Sequence, residues 1–258
     1  MIKIENNQNI TITKSGIYEI NIVSNSQVVI EYTNSEDINV EFEVNIADDV
    51  KTTILCLNHA SAKVSSKENY IVNRDSELVL SYCELNMNKF EHDTVVSLLG
   101  KGAISTVQSA TVCKDDIRYN ILCKHKAPYT QSQMNNYGIV VNSSKCEMVV
   151  TGSILKGNYQ SKSHQISRLM TFDDNPKVNA LPVLLIEEND VEASHAMSLG
   201  QPDENQMYYM ASRGINKKEA LRLITIGYLL PIIDVIDDED LKKQLKEEIE
   251  LRVQECEM

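Results

Sequence analysis

The sequence of 258 residues is long enough for one large core, and its 42% hydrophobic and 24% charged residues exclude a disordered or collagen-like class. A formal net charge of -12 opposes nucleic acid and anionic membranes as partners, and the lysine pairs Lys217-Lys218 and Lys242-Lys243 stand among carboxylates rather than in a basic patch. Six cysteines with no CxxC spacing and no secretion signal point to reduced thiols, which excludes a disulfide framework and a ready-made zinc motif.

The first ten residues, Met1 to Ile10, hold no apolar signal core, and the longest apolar stretch, Leu223 to Ile236, is interrupted by Gly227, Pro231 and Asp234. The expected location is the cytoplasm. From Gly16 to about Ile186 short apolar runs alternate with Asn, Ser, Asp and Gly, without a helical heptad. Val28 to Tyr32 reads as a strand, and Val40, Phe42, Val44 and Ile46 alternate with polar residues as a half-buried strand does. Further strands are predicted at Thr52 to Leu57, Leu78 to Tyr82, Val95 to Leu98, Ile117 to Leu122, Ile139 to Val141 and Met148 to Ile154. Asp115-Asp116 and Asp173-Asp174 read as turn residues. A core of Ile, Val and Leu with few aromatics suits stacked short strands, and a sandwich, a barrel and a β-solenoid all remain open. One spacing leans toward the solenoid: His59, His92 and His125 recur every 33 residues, and Cys83, Cys113 and Cys146 nearly so, as if like residues sat on successive coils.

The pattern changes after Gly200. Pro202 suits a first helical turn, and Asp203 and Glu204 suit the positive end of a helix dipole, for a helix that runs to about Ser212 and stops near Gly214. Asn216 with Glu219 makes a capping arrangement for a second helix carrying Leu221, Ile224 and Tyr228, ending before Pro231. A third helix, from about Asp238, lines up Leu241, Leu245, Ile249 and Val253 on one face. The expected division is a β core over residues 1–200 and a helical unit over 201–258.

The stretch from Pro182 to His195, with Asp190, Val191, Ser194 and His195, then Gly200, then Gln206, Tyr209, Ser212, Arg213, Gly214 and Ile215, resembles the C-terminal signature of the SufB/SufD family of iron-sulfur cluster assembly proteins. That signature runs P-x-L-x-I-x-x-x-D-V-x-x-S-H-x-x-x-x-G and then D-x-x-Q-x-F-Y-x-x-S-R-G-I. Upstream, His125, Thr130, Ser132 and Gly138 are similar to the family's H-x-x-x-x-T-x-S segment and the glycine after it, and Ser161 to Gln165 resembles the turn that follows. The match covers roughly residues 90 to 240, and the first ninety fit only in texture.

The resemblance implies a right-handed parallel β-helix followed by a small C-terminal α-helical domain, acting as a scaffold subunit rather than an enzyme. Its implied partners are a SufC-like ABC ATPase, gripped by the helical domain, and a second solenoid, as a homodimer or a SufB-like heterodimer. Its implied cargo is a transient iron-sulfur cluster. The chain has no G-x-x-x-x-G-K-[ST] loop, and Gly100-Lys-Gly102 does not qualify, so ATP hydrolysis falls to the partner.

A nascent cluster needs thiolate ligands, supplemented by imidazole or carboxylate. His195 matches the SufD-type histidine that the family places near the subunit junction. Cys123 and His125 stand two apart, so on a strand both point to one face, and Cys113 lies ten residues earlier; these are the other candidate ligands. Cys83 and Cys146 rank below them, and Cys56 and Cys256 are set aside. Against these stand the plain readings, a hydrogen-bonded structural histidine and cysteines that fill a core as small apolar groups. Ala193 replaces a cysteine of many SufD proteins, Pro176 falls near the SufB cluster cysteine, and Ala196 replaces the SufB glutamate. The chain is therefore either the SufD-like member of a heteromer or a short, divergent form that uses other cysteines, with an interaction subunit without cluster ligands of its own as a further alternative. Clustered acids on one strand face, which a β-helix carbohydrate-active enzyme needs, are not seen.

Overall fold

In Ile38–Ile46 every second side chain is buried, from Ile38 through Val40, Phe42 and Val44 to Ile46, and the intervening side chains face outward. The structure, a computed structural model, describes residues 1–86, 88–141, 144–171, 177–236 and 239–255. Asp173, Asp174, Pro176, Asp238 and Cys256, named above, lie outside the described residues.

Strands β1 (Ile2–Ile4), β2 (Gln8–Ile12), β3 (Gly16–Ile22), β4 (Ser26–Tyr32), β5 (Ile38–Ile46), β6 (Lys51–Asn58), β7 (Val64–Val72) and β8 (Glu77–Glu84) make the first half. Strands β9 (Phe90–Leu98), β10 (Ile104–Cys113), β11 (Ile117–His125), β12 (Gln131–Val140), β13 (Lys145–Ile154), β14 (Ser161–Thr171), β15 (Lys177–Ile186) and β16 (Val191–Gly200) make the second. Odd strands form one eight-stranded sheet and even strands the other, each in chain order and parallel throughout. The chain thus crosses from sheet to sheet at every turn, and the fold is the expected parallel β-solenoid.

Inward-facing residues of both sheets fill one continuous core that includes Ile4, Ile22, Ile30, Phe42, Leu80 and Val150. Each such side chain contributes about 1.5–3 kcal/mol through burial. At one corner the backbone adopts positive φ on successive coils: Asp49 (60°), Asp75 (52°), Gly102 (76°), Tyr129 (61°) and Gln160 (57°). Their amides donate to the carbonyls of Arg74, Lys101, Pro128, Tyr159 and Asp190 on the next coil, so the ladder continues around the bend.

The offset between in-register residues varies along the chain, from 18 between Ile2 and Ile20 to 32 between Lys145 and Lys177 and 30 between Ser161 and Val191. The 33-residue spacing of the histidines is therefore not the coil length. His92 stands beside Ser66 and Tyr119, and His125 beside Leu98 and Ile154.

Three helices follow, α1 (Glu204–Ser212), α2 (Lys217–Leu229) and α3 (Glu239–Glu255), with a 3-10 turn at Leu230–Val235. Asp203 caps α1, so Pro202 precedes the cap instead of occupying the first turn. Arg213 ends α1, and Gly214 takes a φ of 82°. Asn216 caps α2 by accepting from the Glu219 amide, while the Glu219 carboxylate turns to Arg222 rather than back to the cap. Leu229, Ile232, Leu245, Ile249 and Val253 pack with Leu55, Leu57, Cys83, Val112 and Ile139 in a second apolar cluster, on the outer face of the even sheet. His59, in the turn after β6, donates from its two ring nitrogens to Glu31 (2.7 Å) and to Glu248 of α3 (3.1 Å). The bond to Glu248 outweighs partial burial and, with Glu31, lifts its pKa to about 9, so a charged imidazole pins α3 to the solenoid. Among the described residues no helix is long and apolar enough to cross a membrane.

Candidate functional site

Strands β15 and β16 end their sheets, each paired on one side only. Every residue of β16 is exposed or half exposed, and Leu181, Leu185, Met197 and Leu199 present large apolar surface there. His195 sits on this terminal strand. It is exposed and in register with Gln165, so it shares the inward-facing side of the sheet at the open end of the solenoid. Gln165 lies beneath it, buried, with Oε1 lacking a hydrogen-bond partner and Nε2 donating to the Val183 carbonyl (2.8 Å). Other signature residues shape the same end. Both carboxylate oxygens of Asp190 accept from Gln160, and Ser194 hydrogen bonds His164 on the outer face.

Cys123 and His125 do point to one face, as the spacing predicts, but that face is the sealed interior. They stand on β11, two strands below β15, roughly 10 Å from the open end. His125 bonds Thr130 Oγ1 (2.7 Å) and Ser132 Oγ (2.8 Å), and the hydroxyls continue to Ser161 and Ser163. Burial lowers its pKa to about 4 against the opposing hydrogen bond at Thr130, so the ring is neutral at neutral pH. Cys123 faces the Ser105 hydroxyl at 4.0 Å, and burial pushes its thiol up to about 12. Cys113 is buried too, with its sulfur 3.2 Å from the Asp115 carbonyl and 3.8 Å from that of Lys145, the residue next to Cys146. The structure thus groups Cys123 with His125 and Cys113 with Cys146, and it brings neither pair to His195.

Spacing missed the most strongly polar part of the interior. His92 lies fully buried between Glu68 (3.2 Å) and Glu84 (2.8 Å), with Ser66, Tyr70, Tyr82 and Asn58 bonded to the same carboxylates. Burial opposes its charge, yet the two carboxylates raise its pKa to about 9. Burial likewise opposes ionisation of Glu68, and His92 together with the Ser66 and Tyr82 hydroxyls outweighs it, holding that carboxyl below its usual range. These partners come from three strands and both sheets, so only the register joins them. Among the described residues no group of three or more His, Cys, Asp or Glu side chains is placed to hold a metal ion.

The model of the SUF system FeS cluster assembly SufBD core domain matches residues 5–228, which extends the likeness through the first ninety residues. An iron-sulfur cluster assembly protein SufD of Bacillus subtilis is 29% identical over 220 residues, covering 83% of this chain and 50% of its own length. SufD of Escherichia coli is 35% identical over 69 residues, 27% of this chain and 16% of that protein. Protein ABCI7, chloroplastic, of Arabidopsis thaliana is 23% identical over 164 residues, 61% of this chain and 34% of that protein. The chain spans about half the length of the Bacillus relative and less of the other two. A parallel solenoid matched by one family model from residue 5 onward, with that family's serine and histidine on its terminal strand and the aspartate just before it, belongs to the SufBD family of iron-sulfur cluster assembly proteins.

Proposed function

We propose that the chain is a SufD-like scaffold subunit, in which residues 1–200 form the solenoid core and residues 201–258 form a docking unit for a SufC-like ABC ATPase. The observation that carries this reading is the open terminal coil. Two unpaired strand edges, β15 and β16, lie beside exposed Leu181, Leu185, Met197 and Leu199, a combination that favours pairing with another sheet. A second solenoid, either another copy or a SufB-type partner, would continue both sheets there and bring its own ligands to His195. The nascent cluster is then cargo held at the seam, with the His195 imidazole as this chain's ligand. A groove of about 730 Å³ between α1, α2 and Met170, lined by Tyr209, Met210, Leu223 and Tyr228, offers the ATPase a seat beside the C-terminal end of β16.

A second reading is favoured by one observation: Cys113, Cys123 and His125 are all sealed inside and hydrogen-bonded, so the chain can serve the assembly through its surfaces alone. Anaerobic reconstitution with iron and sulfide, in the presence of a SufB-type partner, separates the two. His195→Ala leaves the melting temperature unchanged, since the ring is exposed, and lowers the cluster absorbance. An unchanged yield of cluster would assign the chain the second role.

A further inference from the structure

We propose that Cys113 and Cys146 are a thiol-oxidation site that closes reversibly into a disulfide between successive coils. Cys113 is the last residue of β10 in the even sheet, and Cys146 the second residue of β13 in the odd sheet. They meet where the chain bends between the sheets. Cys146 stands in register with Ile117, four residues beyond Cys113, so the two sulfurs enter the same end of the interior one coil apart. The Cys113 sulfur lies 3.8 Å from the carbonyl of Lys145, the residue next to Cys146, and both cysteines belong to the same interior core cluster. Both are buried, and the thiols are free. The other described cysteines have different neighbours. Cys123 faces a serine hydroxyl, Cys83 packs in the cluster beneath the helices, and Cys56 stands beside Tyr82. Two inward-facing cysteines at one bend, with one sulfur against the backbone of the residue preceding the other, stand where a small opening of the bend can join them.

The oxidant is a low-molecular-weight disulfide, for which glutathione disulfide serves as the probe. One cysteine thiolate attacks a glutathione sulfur and releases one glutathione thiolate. The second cysteine thiolate then attacks the mixed disulfide and releases the other. The protein loses two protons and two electrons, and one glutathione disulfide becomes two thiols. Contact with Cys146 and burial both disfavour the Cys113 thiolate, so exchange waits on opening of the bend and is slow. The bond closes the loop from residue 113 to residue 146, which carries Cys123, His125, Thr130 and Ser132, and so tightens the coil around them. This site stands apart from the proposed seam at His195, and its test does not depend on cluster assembly.

The full chain is equilibrated anaerobically in glutathione buffers of rising oxidised share, alkylated, and digested without reduction for mass spectrometry. The expected result is a linked pair of tryptic peptides, one ending at Lys114 and the other at Lys156, with the thiol count falling from six to four. Dithiothreitol restores six, and the oxidised chain melts at a higher temperature. Cys83→Ser retains the link and Cys113→Ser loses it. Survival of all six thiols at an oxidising poise would overturn the proposal, as would a stable glutathione adduct or a link joining any other pair.

Discussion

His125 and His92 are both fully buried in the solenoid interior, yet their neighbours keep the first neutral and the second charged. His125 is surrounded by hydroxyls, which solvate a neutral ring, and its pKa falls from 6.5 to about 4. The unfolded chain therefore takes up a proton before the folded one as pH falls. The stability that His125 provides is complete above pH 6.5 and lost as pH falls through about 4, an effect of roughly 3 kcal/mol. Denaturant titrations at pH 7 and pH 4 should show this slope in the wild type, and His125→Gln should flatten it; an unaltered slope would place the acid sensitivity elsewhere. For His92 the sign reverses. With a folded pKa of about 9, its contribution is complete below 6.5 and disappears as pH rises through 9. His92→Leu leaves Glu68 and Glu84 buried without their cation, and should cost about 3–5 kcal/mol at pH 7 in the same measurement. The equal spacing of these histidines suggested like positions on successive coils. It could not show that one coil lines its interior with carboxylates and the next with serine and threonine, because those partners lie on other strands.

Strands were legible where the interior is apolar and the exterior wet. Val40 to Ile46 shows it best, since burial there follows the alternation residue by residue. Strands β10 and β14 were missed because Ser105, Ser109, Ser161, Ser163 and Gln165 are the buried residues, so polar side chains occupy inward positions and the alternation vanishes. β16 was hidden for a different reason, since nothing covers it and no burial pattern exists to read. The corner glycines make their own test at this scale. Gly102 has a φ of 76°, and an added Cβ would lie 2.2 Å from Asp75 Oδ1, so Gly102→Ala should cost roughly 1–2 kcal/mol. Gly227 sits inside α2 with open space where a Cβ would go, so Gly227→Ala should stabilise by about 0.5–1 kcal/mol through helix propensity. Thermal melts of the two variants should move in opposite directions, and a shared direction would mean that the corner φ carries no strain.

At the level of the whole molecule, the reading of the helices as a separable appendage meets the second apolar cluster. A solenoid is held mainly by contacts between neighbouring coils, and from that rule alone removal of residues from Pro202 onward is expected to leave the strands folded. Leu55, Leu57, Cys83, Val112 and Ile139, however, face outward beneath α2, α3 and the 3-10 turn, and the His59 bridge to Glu248 joins the same surfaces. Truncation would uncover this strip, and exposed apolar surface of that extent drives association. The truncated chain should therefore keep its strand signal in circular dichroism yet sediment as aggregates, and loss of ATPase binding by it would say nothing about docking. Helix α1 provides the cleaner test. It has no buried residue, Tyr208 is 78% exposed, and Tyr209 lines the groove, so both tyrosines can be replaced without touching the cluster. Tyr208→Ser with Tyr209→Ser should leave the melting temperature within a degree or two of the wild type, as surface changes generally do. The same variant should weaken co-purification with a SufC-like ATPase by about tenfold or more, as loss of aromatic anchors at an interface does. Full retention of binding by a folded double variant would remove α1 from the interface and leave α2, α3 and the solenoid surface as the places to seek it.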